Sequence, residues 1–353
     1  MDTYNSAYDA LFGTILLIIS LFGTTFNIFS FIYFKTQSST GNILFFRRLY
    51  STITLTDTLM CVSMVPVIES AFSSGRQGAM FTNENFCFFW TVVWTLLPQL
   101  SVFMVAVLSL SRLALLVRPS LRINPSIAML LPVLCVAWSV GSSVGLIFVV
   151  GATQRYYKNW LGCTYNTFRP EDMTRKLTEN DLADGLILRV ILNIVPAASP
   201  IPITISFLLS MWFLHQAIKS TKKLSGSLEK QVEATKTVIL FTLLYIILNI
   251  PYISSLVFFL SIWTTPELGN ITVGEYEESH KLPKTLFLET YLIAIVSIAS
   301  ITVNSFINPL LYFWRMKKFR KYMQERTRSL STSRINGHSQ ESKIMSSHRN
   351  ARI

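Results

Sequence analysis

Polar side chains inside otherwise apolar stretches are the residues of this sequence that could do chemistry. Asp57 is the only acid within seven such stretches, and an acid at the centre of a bilayer costs about 2.5–3.5 kcal/mol. Asn27, Ser101, Asn304 and Asn308 are further polar residues there, and positions 304 and 308 share a helix face. A carboxylate, a hydroxyl and amides that converge could coordinate a small cation or water. The alternative is a polar cluster that only orients helices.

The elements that must position these side chains are predicted to be membrane-spanning helices. Of 353 residues, 51% are hydrophobic and only 14% are charged, whereas soluble domains carry roughly 25% charged residues. A crossing needs about 20 apolar residues, and helices satisfy their own backbone polar groups in lipid. We therefore predict an all-α membrane protein, a seven-transmembrane helix bundle. Six charge-free stretches lie between Asp9 and Lys35, Glu84 and Arg112, Arg122 and Arg155, Arg189 and Lys219, Lys236 and Glu267, and Glu289 and Arg315, and the seventh, 49–68, contains Asp57.

The domain organisation follows from these stretches. We predict an N-terminal tail over 1–9, the bundle over 10–314, an amphipathic helix over 315–324 and a disordered tail over 325–353. The leader contains Asp2 and Asp9 but no Lys or Arg, which favours a retained helix over a cleaved signal peptide. Apolar residues at helical spacing, with cations between them, suit a helix on the inner leaflet of the membrane; they are Met316, Phe319 and Met323.

Basic residues are concentrated in one set of connecting segments. The segments 35–48, 112–122, 219–236 and 315–353 hold 22 Lys and Arg but four acids, whereas the opposite set holds 8 and 14. Cytoplasmic loops carry the excess of Lys and Arg, so the N-terminus is predicted outside and the C-terminus inside. The high net charge of +12 then reflects topology and requires no nucleic-acid partner.

The outer side carries three further predictions. Cys87 and Cys163 both face the oxidising side, so a disulfide is expected, with two free thiols as the alternative. The aromatic segment 155–165 predicts a short hairpin, with an irregular loop as the alternative. Asn270 begins an Asn-Ile-Thr triplet, an acceptor for glycosylation.

With these residues the chain resembles rhodopsin-like (class A) G-protein-coupled receptors over about residues 10 to 324. The most specific match is Asn308-Pro309-Leu310-Leu311-Tyr312, which fits the NPxxY motif of the family's seventh helix. Cys87 and Arg112 stand 25 residues apart, as do the family's disulfide cysteine and the arginine of its DRY motif. The family's sodium-pocket positions are matched by Asn27, Asp57, Ser101, Asn304 and Asn308.

The resemblance implies a plasma-membrane receptor that binds an extracellular ligand and activates heterotrimeric G proteins. Arg112, Pro309 and Tyr312 would act in G-protein coupling, and arrestin could read a phosphorylated tail. An enzyme is not predicted, because no histidine lies within a span where it could join a metal site. The histidines are His215 at a cytoplasmic end, and His280, His338 and His348 in loop or tail.

The sequence departs from the family at its switch positions. Ser111 replaces the acid that precedes Arg112, and Gln231 stands where the sixth helix would supply a second acid. Asn249 replaces the tryptophan of the CWxP motif, although Pro251 is kept. These changes predict either elevated basal signalling or impaired coupling. The alternative function is therefore a decoy or scavenger receptor that binds ligand without activating G proteins.

The ligand class is approached by exclusion. Trp94 stands where amine receptors have an aspartate, and Thr302 stands where opsins have the retinal lysine. The outer loops are acidic, so a basic neuropeptide would be attracted, although these acids could simply keep the loops solvated. The predicted ligand pocket comprises Glu69, Trp90, Trp94, Pro98, Asn249, Tyr252 and Tyr291.

Overall fold

The structure of the chain is a computed structural model. It describes residues 2–38, 40–73, 79–118, 120–127, 129–130, 132–134, 136–137, 141, 153–157, 162–166, 200–220, 226–263, 284–316 and 319–325, with side chains described for part of these helices. All structural statements below refer to these residues.

Helices dominate the described part of the chain, as predicted. The long helices are α1 (Asp2–Thr36), α2 (Gly41–Val62), α4 (Glu84–Val117), α5 (Pro200–Ser220), α6 (Gly226–Trp263) and α7 (Lys284–Arg315). Shorter elements are α3 (Val65–Phe72), a 3-10 turn (Ala79–Thr82) and the strands β1 (Thr153–Tyr157) and β2 (Gly162–Asn166). Helical residues also occur between 127 and 141, and residues 319–325 form a further helical segment.

Four helices are long and apolar enough to cross a membrane. Within the described residues these segments are Tyr8–Thr36, Gly41–Phe72, Asn85–Val117 and Ile295–Arg315, and α6 adds the shorter apolar segment Thr235–Pro251. Large apolar side chains such as Leu11, Leu21 and Phe22 on α1 are more than half exposed. An apolar outer surface of this kind is expected where lipid replaces water. The other predicted crossings lie wholly or partly outside the described residues.

The second crossing is broken between α2 and α3. Pro66 has no backbone N–H, so it cannot bond to the carbonyl four residues earlier. α2 ends at Val62, and the Ser63 N–H still bonds to the Leu59 carbonyl at 2.8 Å. The chain then resumes as α3 with Pro66 in its first turn. The proline therefore places a bend in this crossing, above Asp57.

Helix α1 packs against α2 and α7, α2 packs on α4, and α6 packs on α7. A Cβ atom at Gly23 of α1 would lie 2.6 Å from the Cys61 Sγ of α2, so glycine permits this close approach. Two buried apolar clusters fill the interior, one beside the N-terminal half of α1 and the other beside its C-terminal end. Asn27, Asp57 and Asn308 lie on α1, α2 and α7, which pack together in this interior.

The hairpin predicted for the aromatic segment 155–165 is confirmed. Strands β1 and β2 pair antiparallel, with Tyr156 opposite Cys163 and Arg155 opposite Thr164. Both strands contact α4. The hairpin therefore lies beside the helix that carries Cys87.

Helical structure continues at both ends of the bundle. Residues 2–9, predicted as an N-terminal tail, form the start of α1, which begins at Asp2. Near the other end, Phe319 is 1% exposed, and Met316 and Met323 pack against the same core. The apolar face of this predicted amphipathic segment is thus used at least partly for contact with the bundle.

Candidate functional site

Asp57 and Asn308 are brought into direct contact in the middle of the bundle. The Asn308 Nδ2 donates a hydrogen bond of 2.6 Å to the Asp57 Oδ2, which links α2 to α7. Both side chains are buried, and Ser305, one turn before Asn308, also faces the carboxylate. Two residues that are 251 positions apart in sequence therefore form the centre of a polar site.

Asn27 joins α1 to the same site through the backbone of α7. Pro309 lacks an N–H, so the Ser305 carbonyl loses its usual donor within the helix. The Asn27 Nδ2 supplies that donor at 2.9 Å and also bonds to the Gly23 carbonyl at 2.9 Å. The asparagine thus compensates for the proline of the NPxxY sequence.

Three oxygens on α1, α2 and α4 are buried without a hydrogen-bond partner among the described residues: Asn27 Oδ1, Asp57 Oδ1 and Ser101 Oγ. Buried polar atoms are normally paired, so such oxygens point to bound water or a cation. Ser101 and Asn304 are buried on α4 and α7 but form no direct hydrogen bond to the carboxylate within the described structure. Carboxylate, amide and hydroxyl oxygens fit sodium chemically.

The proline of α6 has a polar environment that includes a contact with α7. Ser297 Oγ donates a hydrogen bond of 3.3 Å to the Pro251 carbonyl. Asn249 is buried, and its Nδ2 donates to the Tyr245 carbonyl of its own helix at 2.8 Å. A proline frees one carbonyl and weakens the helix locally. The contact with Ser297 therefore ties α7 to the point at which α6 can bend.

Aromatic side chains pack near the N-terminal end of α4. Trp90 and Trp94 stack with ring centroids 5.2 Å apart, and Phe81 meets Trp90 edge to face at 5.2 Å. The Trp90 Nε1 donates to the Ser63 carbonyl at 3.1 Å, at the break between α2 and α3. Trp90 is only 5% exposed. Trp90 therefore stabilises the break between α2 and α3, and it is also a candidate contact for a ligand.

The remaining predicted pocket residues are found in different settings. Glu69 Oε2 accepts a hydrogen bond of 3.2 Å from the Met80 N–H, so it anchors the short turn Ala79–Thr82. Pro98 is buried inside α4. The side chains of Tyr252 and Tyr291 lie outside the described residues, as do the Cys163 side chain and Asn270. The structure accordingly brings Trp90 and Trp94 together and does not describe the far wall of a pocket.

Arg112 on α4 and Tyr312 on α7 have aromatic neighbours. The Arg112 guanidinium carbon lies 3.6 Å from the centroid of the Phe46 ring. Tyr312 is 2% exposed and packs against Phe34, Tyr50 and Phe241 at centroid distances of 5.4, 5.4 and 6.2 Å. In the described part of the chain, the Tyr312 hydroxyl has no hydrogen-bond partner.

The N-terminal part of α6 and the C-terminal end of α7 are linked by a polar contact. The Arg315 Nη2 lies 3.8 Å from Glu233 Oε2, and Arg315 Nε donates to the Thr237 hydroxyl at 3.4 Å. The hydrogen bond from Lys236, at 2.8 Å, is the main reason that the pKa of Glu233 is lowered, with a smaller contribution from Arg315. Glu233 is largely solvent-exposed, so this ion pair adds little stability.

Several contributing residues were missed from sequence. The backbone carbonyls of Ser305 and Ser63 accept hydrogen bonds from Asn27 and Trp90. The Ser297 hydroxyl donates to the Pro251 carbonyl, and the face of the Phe46 ring contacts Arg112. One signal was available for Ser305, because its carbonyl stands four residues before Pro309. The others depend on how neighbouring helices are rotated, which no local pattern records.

The comparisons with known proteins support the fold alone. No family model matches the chain, and no curated protein matches it. Among solved structures, the crystal structure of squid rhodopsin is similar, with a TM-score of 0.62 and 14% sequence identity; the match covers 93% of this chain and 87% of that chain. The chain therefore has the seven-helix fold of rhodopsin. Together with its apolar helices, this fold makes it a multi-pass membrane protein.

Proposed function

We propose that this chain is a rhodopsin-like (class A) G-protein-coupled receptor that binds an extracellular ligand and activates heterotrimeric G proteins. The observation that carries the proposal is the contact set of Asn27, Asp57 and Asn308, which joins α1, α2 and α7 within a rhodopsin fold. The NPxxY sequence supplies Asn308 directly, and Asn27 compensates for its proline. Motif and geometry thus support the same function.

The receptor is placed in the plasma membrane with its N-terminus outside. The strong excess of Lys and Arg in the segments 35–48, 112–122, 219–236 and 315–353 supports this orientation. Cytoplasmic partners then meet Arg112 and Tyr312, whereas the β1–β2 hairpin, Trp90 and Glu69 face the outside. Cations at 315–321 can interact with anionic lipid at the inner leaflet.

The proposed ligand is a neuropeptide, and a basic one by charge. The stacked Trp90 and Trp94 offer aromatic surface, and Glu69 lies at the same end of the bundle. The acidic outer loops would raise the local concentration of a cationic peptide. Asn249, Pro98, Tyr252 and Tyr291 complete the proposed pocket, and a glycan at Asn270 belongs to the same outer face.

A disulfide between Cys87 and Cys163 is part of the proposal. Cys87 is a buried, disulfide-bonded cysteine near the start of α4, and β2, which contains Cys163, packs on that helix. Cys61 is the free cysteine within the described residues. The bond would fix the hairpin beside the outer end of the bundle, where a ligand enters.

A sodium ion is the proposed allosteric cofactor of the central polar site. Asp57 would supply charge, and Ser101 and Asn27 would supply the unpaired oxygens described above, with Asn304 and Asn308 nearby on α7. Bound there, the ion would neutralise the buried carboxylate. Because the site joins three helices, occupancy would favour the packing in which they converge.

Signalling would follow a shift in helix packing. α6 can bend at Pro251, and the opening of its cytoplasmic end would expose Arg112 and Tyr312 to a G protein. Pro309, through the carbonyl that it frees, sets the geometry around Asn27. Phosphorylated serines beyond residue 325 would add charge that arrestin could bind.

A decoy receptor that binds ligand without activating G proteins is the second candidate. The observation that favours it is the environment of Arg112, which has no carboxylate partner in the described structure and lacks an acid at Ser111 and Gln231. Such a receptor would internalise its ligand without any G-protein response.

The test is G-protein activation in cells with verified surface receptor, challenged with a broad neuropeptide library. We expect a saturable response that is lost in Arg112→Ala at equal surface level. Lys35→Ala, which removes a charge from the exposed cytoplasmic end of α1, is the matched control and should respond normally. Silence across all G-protein families, with ligand uptake retained, would contradict signalling and support the decoy.

A further inference from the structure

Arg112 is held by an aromatic ring. Its guanidinium carbon lies 3.6 Å above the Phe46 ring centroid, well inside the roughly 6 Å within which a cation is attracted to a ring face. Phe46 belongs to α2 and is 6% exposed. The Arg112 Nε is buried and has no hydrogen-bond partner among the described residues. The ring is therefore the contact that fixes this side chain.

The Phe46 ring compensates for the absence of a carboxylate at positions 111 and 231. An arginine side chain keeps its charge in proteins, so a partly buried guanidinium needs a favourable electrostatic environment. Ser111 and Gln231 carry no charge, and no salt bridge to Arg112 exists in the described part of the chain. The negative face of an aromatic ring provides attraction without a second charge.

The Phe46 ring is itself fixed. It meets the neighbouring Phe45 ring edge to face, with centroids 5.2 Å apart and planes at 79°. Phe45 is fully buried, and both rings lie in the same apolar cluster. A ring held in this way presents one face to Arg112 and cannot easily turn aside.

We infer that Phe46 is the positioning residue for Arg112, and that it holds the guanidinium against α2 until a cytoplasmic partner takes it. This inference rests on the proposed function, in which Arg112 contacts the G protein. Release of Arg112 then breaks one cation–π contact. If position 111 carried an acid, release would instead require the breaking of an ion pair. Loss of the ring should free Arg112 and raise signalling without ligand.

The test compares side chains of similar size with and without a ring. Phe46→Leu should raise basal G-protein activation per surface receptor about threefold to tenfold, because it removes the ring face but remains apolar. Phe46→Tyr keeps the ring and should stay near the wild-type level. Phe31→Leu is the matched control, since its ring lies beside the Lys35 cation on α1 and not beside Arg112, and it should leave basal activity unchanged. Equal effects of the Leu and Tyr changes at position 46, or no rise, would overturn the inference.

A second measurement does not depend on G-protein coupling. In purified full-length receptor, Phe46→Leu should lower the thermal midpoint more in the wild-type background than in Arg112→Ala, because only the former has the contact to lose. Equal shifts in the two backgrounds would overturn the inference. Unequal shifts in a receptor whose variants never activate G proteins would leave the Phe46 contact intact and count against the proposed function.

Discussion

At the residue scale, the central site is a network in which each polar group either bonds to a specific partner or is buried without one among the described residues. Asn27 and Asn308 both donate, one to a carbonyl freed by Pro309 and the other to the Asp57 carboxylate. Oxygens of Asn27 and Asp57 remain without partners among the described residues. Donors are used internally while acceptors are left over, which is the pattern expected around a cation.

Asp57→Asn tests whether those acceptors bind sodium. The change removes the charge but keeps the size of the side chain. Wild-type receptor should show a higher thermal midpoint in sodium chloride than in choline chloride at equal ionic strength, and the variant should show no difference. A sodium effect of unchanged size in Asp57→Asn would favour a polar cluster that only orients the helices.

Asn27→Ala tests the link between α1 and α7. The Ser305 carbonyl would lose its donor inside the bundle, and an unsatisfied buried acceptor costs about 1–3 kcal/mol. We expect reduced surface expression and a lower thermal midpoint. Thr25→Ala is the control, because Thr25 bonds only to the Leu21 carbonyl on the exposed face of the same helix. Equal loss in both variants would mean that the link to α7 adds nothing.

At the element scale, prolines interrupt or weaken the helices, and side chains from neighbouring helices bond to the backbone near three of these prolines. Trp90 of α4 donates to Ser63 beside the break before Pro66, and Ser297 of α7 donates to Pro251 of α6. Asn27 does the same for the region around Pro309. The Ser305 carbonyl, which Pro309 leaves without its helical donor, has no water to bond in apolar surroundings, so the donor from Asn27 takes that place.

Trp90→Phe tests this view at the α2–α3 break. Phenylalanine keeps an aromatic ring beside Trp94 but cannot donate to the Ser63 carbonyl. We expect a loss of stability of about 1 kcal/mol, measured as a lower thermal midpoint in detergent. Trp94→Phe is the matched control, because no hydrogen bond of Trp94 is described and its ring stacks at the same place. The prediction is wrong if the two variants are equally stable.

At the scale of the whole molecule, the outer hairpin and the bundle are expected to act as one unit through the disulfide. The hairpin packs on α4 at the end where Trp90 and Trp94 stack. At the opposite end, Arg315 ties α7 to α6 while Tyr312 is enclosed by aromatic rings. The two ends therefore differ: the hairpin packs on α4 at one end, and side-chain contacts between helices close the other.

Serine substitutions at Cys87 and Cys163 test the proposed disulfide between the hairpin and α4. Each single change should reduce surface expression or ligand binding, and the double variant should be no worse than either single one, because all three lack the same bond. The expected cost is about 2–5 kcal/mol. Cys61→Ala, which removes the free buried thiol, is the control and should retain surface expression. Normal behaviour of both single variants would contradict the disulfide.

The sequence was sufficient for the features that depend on local composition. Helical crossings follow from long charge-free stretches, because a bilayer demands apolar length and internally satisfied backbone. The aromatic segment with flanking turn residues predicted the hairpin correctly. The contact between Asp57 and Asn308 was also foreseeable, since buried polar groups in apolar helices must find one another.

Only the tertiary structure decided which faces of the helices meet. A helix rotated about its axis keeps the same hydropathy and length, so nothing local placed Phe46 under Arg112 or Trp90 against Ser63. Those contacts depend on how α1, α2, α4 and α7 pack together, and packing is set by side-chain fit across residues far apart in sequence. Sequence thus determined what each helix is made of, and tertiary packing determined what each polar group can do.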